Sequence, residues 1–470
     1  MMNLSLLALL FISSTIYEKN LDAKRLSDIS MLIDSSGYID VIYSRHATDV
    51  SDYYVSPSGN DNNPGTKNLP WRTIQKAANT IAPGKTAVIK AGNYNEFVKI
   101  KRSGTSNNTR IKLYSETSHG ASCLGFKIEG SYITIDGFNI EAFQPNYTGI
   151  EVPGYSNVDI LNCYVHECPL GGIRVSHGST NVKVIGNKLE HNGQYGIGLS
   201  GSNGLIENNF ITKTVQYHSK GLPPGSRGAD ADGIRIFGSN HIIRGNSVIN
   251  IAEMDDKGNI DPHADCIQSW DSNGYPVITN SIIEKNYFSV SCLSGKGIIL
   301  ETKGSPCHEI IIRNNIIEFR DIGVAATYGK FYNIYIYNNV FKAKLNDKVW
   351  GVAYALKNVT NYKVLNNITV DCHPEHRKII GGTGIVDYNL MWNSDNSRIS
   401  LEPGVQAHEL NDVNPKFVNY TTDYGINNYQ LQSGSPAINS GKVIPENLED
   451  FNGKVRKAGT ACDIGAYESK

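Results

Sequence analysis

The chain has 470 residues, with 44 Lys and Arg against 45 Asp and Glu, so its overall field gives no reason to expect nucleic acid or an anionic membrane as partner. Only 19% of residues are charged, Gly (45) and Tyr (26) are abundant and Met (5) is scarce, a balance that suits a β-rich extracellular protein better than a helical cytosolic one. The length would hold two or three ordinary domains, but elongated repeat folds of this size form one unit.

Leu4 to Ile12 is an apolar run followed by Ser13, Ser14 and Thr15, with the length of a signal-peptide core and too short to span a bilayer, although the basic residues expected before it are missing. It predicts a secreted, extracellular protein, free or loosely associated with the cell surface, with residues 1–48 as signal peptide and linker. No other segment approaches membrane-spanning length, so no membrane insertion is expected. Order begins near Tyr53-Tyr54-Val55. Turn residues Pro64-Gly65-Thr66 and Pro70 lead into a short amphipathic helix carrying Ile74, Ala77, Ala78 and Ile81, which would cap the open end of a β stack. Val88 to Tyr94 reads as a first strand and turn, and residues 49–127 as N-terminal cap and first coils.

Between residues 128 and 370 the chain repeats itself. Asn follows an alternating apolar strand at Asn162, Asn187, Asn209, Asn246, Asn286, Asn315, Asn339 and Asn367. A second strand recurs between them, as in Gly172-Ile173-Arg174-Val175, Gly196-Ile197-Gly198-Leu199, Gly233-Ile234-Arg235-Ile236, Cys266-Ile267-Gln268-Ser269, Gly297-Ile298-Ile299-Leu300, Gly323-Val324-Ala325-Ala326 and Gly351-Val352-Ala353-Tyr354. A period of roughly two dozen residues is one coil of a parallel β-helix, a solenoid in which no coil buries its own apolar side chains and stacked coils share one core. Ile173, Ile197, Ile234, Ile267 and Ile298 should face inward, and turn asparagines should take left-handed backbone and hydrogen-bond to the next coil. A β-propeller would need blades of about 40 residues and a signature that is absent. Residues 371–470, including Ser435-Pro436-Ala437-Ile438 and Cys462-Asp463-Ile464-Gly465, are read as last coils and C-terminal cap. Eight scattered cysteines without a CxxC pair argue against a zinc ribbon or redox dithiol; one or two disulfides, or small buried hydrophobes, are both open. The N-x-T sequons at Asn146 and Asn367 are candidate glycosylation sites.

The residue before each Gly or Cys of the second strand should form a vertical file: Gly171, Tyr195, Asp232, Asp265, Lys296, Ile322 and Trp350. Charge sits only in the middle coils, which also carry the longest insertions, at about 213–229 and 251–264. Asp232 and Asp265 would be about 5 Å apart, a spacing at which two carboxylates call for a cation or shared proton. With Asp230, Asp261 and Glu301 they form an oxygen-rich set suited to Ca²⁺. Lys296 and Gln268 are candidate groove residues for an anionic ligand, and Tyr195, Trp270 and Trp350 candidate stacking platforms. Plainer alternatives stand beside these: Asp before Gly as a turn residue, Glu301 in a salt bridge to a neighbouring lysine, outward aromatics as covers for neighbouring strands.

Residues 53–94 resemble the N-terminal portion of secreted right-handed β-helix proteins of the pectate-lyase superfamily, polysaccharide lyase family nine among them, and the Ser435 and Asp463 segments resemble the terminal module of surface β-helix proteins. The resemblance implies an all-β right-handed parallel β-helix with an N-terminal capping helix and a C-terminal cap; the architecture hosts lyases, hydrolases, epimerases and adhesins. Ala229-Asp230-Ala231-Asp232-Gly233 is similar to the family-nine stretch in which Asp binds Ca²⁺, but the position of that family's lysine base falls on Phe237. Glu301-Thr302-Lys303-Gly304-Ser305 is similar to the Lys-Ser strand of family six, which makes Lys303 the base; that family's Arg falls on Thr327, with Tyr328 or Arg235 as substitutes. Asp261-Pro262-His263 resembles the Asp-Pro-His core of mannuronan C5-epimerases, with Gly258 in place of their Tyr, and makes His263 a base or neutraliser. These resemblances imply a Ca²⁺-assisted β-elimination lyase of acidic, uronic-acid-containing polysaccharide, expected to be a monomer. A C5-epimerase, a glycoside hydrolase using Asp232 and Asp265, and a non-catalytic carbohydrate-binding β-helix remain the alternatives.

Overall fold

The computed structural model describes residues 51–142, 147–215, 231–251, 264–271, 275–290, 292, 295–344, 351–372, 376–399, 407–456 and 461–469, together with the backbone of 29–33 and 39–43. About ten coils stack into a parallel β-solenoid with three sheets. The first sheet runs from Gly92–Ile100 to Arg377–Ile380, the second from Tyr53–Val55 to Thr383–Asp387, and the third from Asn139–Glu141 to Leu410–Asn411. Each strand pairs in parallel with its counterpart one coil away.

The core follows from register. Ile173, Ile197, Ile234, Ile267 and Ile298 stack in one column and are fully buried. Beside them the recurring glycines fill a slot with no room for a side chain. A Cβ at Gly196 would lie 2.5 Å from Ile211 Cγ2, at Gly233 2.3 Å from Val248 Cγ1, and at Gly297 2.5 Å from Ile317 Cγ2. Space, not turn geometry, therefore selects glycine after Asp232, which opens the strand Asp232–Ser239. In the next-to-last coil of this sheet the register differs from the repeat alignment. Ile322 faces Val352 and Val324 faces Tyr354, so Ala353 takes the glycine slot and Val352 the column position that the repeat alignment gives to Trp350, which lies outside the described residues.

The recurrent asparagines divide into two files with different work. Asn187, Asn209, Asn246, Asn286, Asn315, Asn339, Asn367 and Asn389 form a buried ladder in which each Nδ2 donates to the next Oδ1 at 2.9–3.0 Å. The same Oδ1 accepts a backbone N–H of the previous coil, as from Asn246 to Asn286 at 2.9 Å. Asn162 stands one position earlier, in a file with Asn208, Asn314, Asn338 and Asn366 that adopts left-handed backbone; Cys163 occupies the ladder position in its coil. Because Asn367 is a rung with no exposed surface, its sequon is closed to a glycosylating enzyme. Asn146 lies outside the described residues.

The helix Ile74–Thr80 buries Ile74, Ala77 and Ala78 against the first coils, and Thr73 caps it by accepting from Lys76 N–H at 3.1 Å. Glu96 adds a carboxylate to the same end, accepting from Ile74 and Gln75 N–H. At the other end, Phe417, Tyr429, Ala437, Ile464 and Ala466 of the C-terminal segment pack on Ile316, Val340, Ile368 and Leu390, on the outer face of the third sheet. Buried Glu318 ties them down by accepting from Tyr287, Ser289, Gly425 N–H and Tyr429. All eight cysteines are free thiols, seven of them buried. Burial pushes Cys163, Cys168 and Cys307 up to about 12, as expected for small hydrophobes. No helix among the described residues is long and apolar enough to cross a membrane.

Candidate functional site

The outer face of the first sheet brings most of the sequence-derived residues together. Tyr195 is paired with Asp232, and Asp265 with Lys296. Asp232 and Asp265 share the register that sets Ile234 opposite Ile267, and Asp265 N–H donates to Asp232 Oδ1 at 3.1 Å. Both aspartates are fully buried, in contrast to the open wall that the alternation alone suggests. One column further along the strands, Arg235 lies opposite Gln268. Beyond these, Phe237 meets Trp270 edge to face at 4.6 Å, Trp270 is paired with Glu301, and Glu301 with Tyr328.

Arg235 joins the columns. Its Nε donates to Asp232 Oδ2 at 2.7 Å, and its guanidinium lies 5.0 Å from the ring of Tyr195 and 5.6 Å from that of Trp270. The ring of Tyr195 has its place because Gly171 and Gly198 lack side chains: a Cβ there would approach it to 2.6 and 2.9 Å. Burial pushes the Tyr195 phenol up, while Arg174 and Arg235 pull it down. Arg174, paired with Glu151, thus belongs to the same surface, two coils from Arg235. It sits in the recurring strand motif, and stacking the motif's third residue would have revealed it. Tyr275, 5.0 Å from Phe237 and 42% exposed, lies in an irregular connection and has no such signal.

Lys296 is mostly buried, with its Nζ 3.6 Å from Asp321. Lys303 is exposed, on the turn after Lys296–Glu301. That turn is fixed by Asp271, whose carboxylate accepts from the N–H groups of Lys303, Gly304 (2.6 Å) and Ser305 (3.0 Å). Burial opposes ionisation of Asp271, but these N–H groups outweigh it and hold its carboxyl below the usual range. Tyr328 is 70% exposed at the end of its strand. Asp230, Asp261 and His263 lie outside the described residues.

Ca²⁺ takes six to eight oxygen ligands. Among the described residues no group of three or more His, Cys, Asp or Glu side chains is arranged to hold a metal, and Asp232 is already matched by Arg235. The described donors do not by themselves make a calcium site.

Comparison with known proteins places this surface in context. YwoF of Bacillus subtilis (strain 168) is 27% identical over 314 residues, 61% of this chain and 62% of that protein. Pectate lyase L of Paenibacillus polymyxa (strain SC2) is 30% identical over 144 residues, 28% of this chain and 31% of the lyase. The chain thus spans less than two thirds of either relative. Among solved structures, pectate lyase Pel9A superposes with a TM-score of 0.50 at 19% identity, covering 89% of this chain and 96% of that one. A rhamnogalacturonan lyase gives 0.52 at 15% identity with the same coverage, and XylC in complex with xylose 0.54 at 12%, covering 88% and 98%. These likenesses establish a shared architecture. Residues 53–305, more than half of the 470 and including Asp232, Asp265 and Lys296, match the family described as Pel9A-like, right handed beta helix region; the chain belongs to the Pel9A-like right-handed β-helix family.

Proposed function

We propose that this protein is an extracellular, monomeric polysaccharide lyase that cleaves uronic-acid-containing chains by β-elimination. The observation that carries the reading is the convergence of Asp232, Arg235, Asp265, Gln268, Trp270 and Lys296 on one face of three consecutive coils in a family named for a pectate lyase. In such a reaction a base removes the proton on C5 of a uronate, the electron pair forms the C4–C5 double bond, and the C4–O bond breaks with a proton passing to the leaving oxygen.

Lys303, exposed on a turn held by Asp271, is the base in this reading, and Tyr328 is the donor to the leaving oxygen. Arg235 and Lys296 supply positive charge for the sugar carboxylate, while Trp270 and Tyr195 offer ring faces. His263 is the alternative base or neutraliser. Bound Ca²⁺ would offset the uronate charge and acidify the C5 proton; Asp230, Asp232, Asp261 and Asp265 are its proposed ligands, whereas Glu301, five residues and so roughly 17 Å along the strand from Lys296, stands too far from Asp265 to share the ion. Binding without turnover is the competing reading, favoured by Phe237, a ring packed on Trp270 where family nine carries its lysine.

The purified protein is offered pectate, alginate and glycosaminoglycans with and without chelator, and ultraviolet absorbance of the unsaturated product is followed. Elimination that falls at least about 100-fold in both Lys303→Ala and Asp265→Ala supports the reading. New reducing ends without the chromophore indicate hydrolysis, and binding without either product indicates an adhesin; each sinks it.

A further inference from the structure

Along the corner between the first and second sheets, five consecutive coils line an open cleft of about 570 Å³. Its floor is Ser179, Gly201, Ser202, Gly238 and Ser239. Successive coils approach closely here: a Cβ would meet Ser179 O at 2.0 Å at Gly201, and Gly201 O at 1.9 Å at Gly238, and both glycines have φ values (+135° and +101°) that other residues avoid, so these two positions carry no side chain. His177 rises from the upstream coil, and Pro276, Pro306 and His308 from the downstream coils. The lining consists of hydroxyls, backbone, the rings of His and Pro and the aliphatic Val277, with no Asp, Glu, Lys or Arg.

That chemistry selects its ligand. The lining itself offers a polyanion no cation, Lys303 standing two residues from Ser305 on the flanking turn, whereas an uncharged saccharide finds hydroxyl partners for its own hydroxyls and flat faces for its C–H surfaces. The cleft also lies beside the aromatic group at the candidate site. Gly238 and Ser239 directly follow Phe237, and Pro276 directly follows Tyr275, whose exposed ring lies 5.0 Å from Phe237. Asp232 and Ser239 are the two ends of one strand, about 23 Å apart at roughly 3.3 Å per residue. The cleft is thus separate from the Asp232, Asp265 and Lys296 columns and lies at the end of the sheet that carries Lys303, two residues before Ser305.

We propose that this cleft is a binding site for neutral sugar units, separated from the charged columns by the Phe237–Trp270–Tyr275 ring group. The proposal stands apart from the lyase reading, because it concerns binding and holds whether or not elimination occurs.

Linear neutral hexasaccharides of glucose, xylose and galactose are titrated calorimetrically against the full chain. At least one should bind, with association weakened about ten-fold or more in the double variant His177→Ala/His308→Ala. Both histidines are solvent-accessible, so folding should persist, and Tyr275→Ala provides a second variant if it does not. Asp265→Ala should leave this binding intact. Failure of all three oligosaccharides to bind overturns the proposal, as does binding that survives both cleft variants or that Asp265→Ala abolishes.

Discussion

Arg235 offers the sharpest test of the candidate site because it holds a carboxylate that has no exposed surface. Its side chain is 13% exposed, and Asp232 receives its Nε at 2.7 Å. Removing one partner of such a pair leaves a charge in low dielectric and costs about 3–5 kcal/mol, with each lost cation–π contact adding roughly 0.5–1 kcal/mol. Arg235→Gln, which also loses two cation–π contacts, should therefore destabilise the protein by about 4–7 kcal/mol. If the uncompensated carboxylate is the cause, Asp232→Asn in the same chain should recover roughly half of that loss, since a neutral amide is far cheaper to bury. Urea denaturation of wild type, both single variants and the double variant measures the coupling from the midpoints, provided the m-values agree. A loss below about 1 kcal/mol for Arg235→Gln, or purely additive effects, would show that Asp232 is not held this way and that the guanidinium is a surface group.

Three further outcomes follow from the fold. Asn286→Leu removes the acceptor of Asn246 N–H and the donor to Ile243 C=O in the buried ladder, and at about 1–3 kcal/mol per stranded backbone group it should cost roughly 2–6 kcal/mol, read from the same denaturation curves. Gly233→Ala would set a Cβ 2.3 Å from Val248 Cγ1 and 2.8 Å from Cys266 O, so overpacking should lower stability by about 1–3 kcal/mol in thermal unfolding. Lys342 is buried with its Nζ on Thr422 O and Asp423 O, and burial holds its amine down to about 8 even though Glu318 and Asp371 pull it up. The unfolded chain, with a lysine near 10.4, binds more protons than the folded one between those values, so this group makes stability rise with pH through that window. Wild type should gain on Lys342→Met between about pH 8 and 10; a constant difference would contradict it.

What could be read in the sequence follows from what repeats. The inward isoleucines, the glycine slot and the file from Tyr195 to Lys296 were legible because each is set by one local choice made again in every coil. The same logic failed where the period carried two signals at once. Asn162 and Asn187 both follow a strand, yet one serves left-handed backbone and the other a buried amide ladder, a difference of one position that no composition or propensity marks. It failed again at Gly351, which aligns with the recurring glycines in sequence although Ala353 takes their position in the pairing. Burial of Asp232 and Asp265 was not legible either. Alternation assigns a side chain to a face, whereas its exposure depends on neighbours in other coils and on connections without periodicity.

The first-sheet surface is organised by dependence rather than by proximity alone. The absence of side chains at Gly171 and Gly198 makes room for the Tyr195 ring; that ring and Trp270 flank the Arg235 guanidinium; Arg235 in turn holds Asp232, whose other oxygen accepts the N–H that begins the next strand at Asp265. A carboxylate positioned in this way cannot swing out to follow a ligand without giving up a buried ion pair, so Asp232 acts on its surroundings as a fixed charge. Lys303 stands in the opposite condition, on a solvent-exposed turn whose backbone is pinned while its side chain remains in water. The fixed floor and the adaptable amine stand at opposite ends of the strand Lys296–Glu301, whose five steps span roughly 17 Å at about 3.3 Å per residue, so only a chain long enough to reach both lets the floor orient what the amine deprotonates.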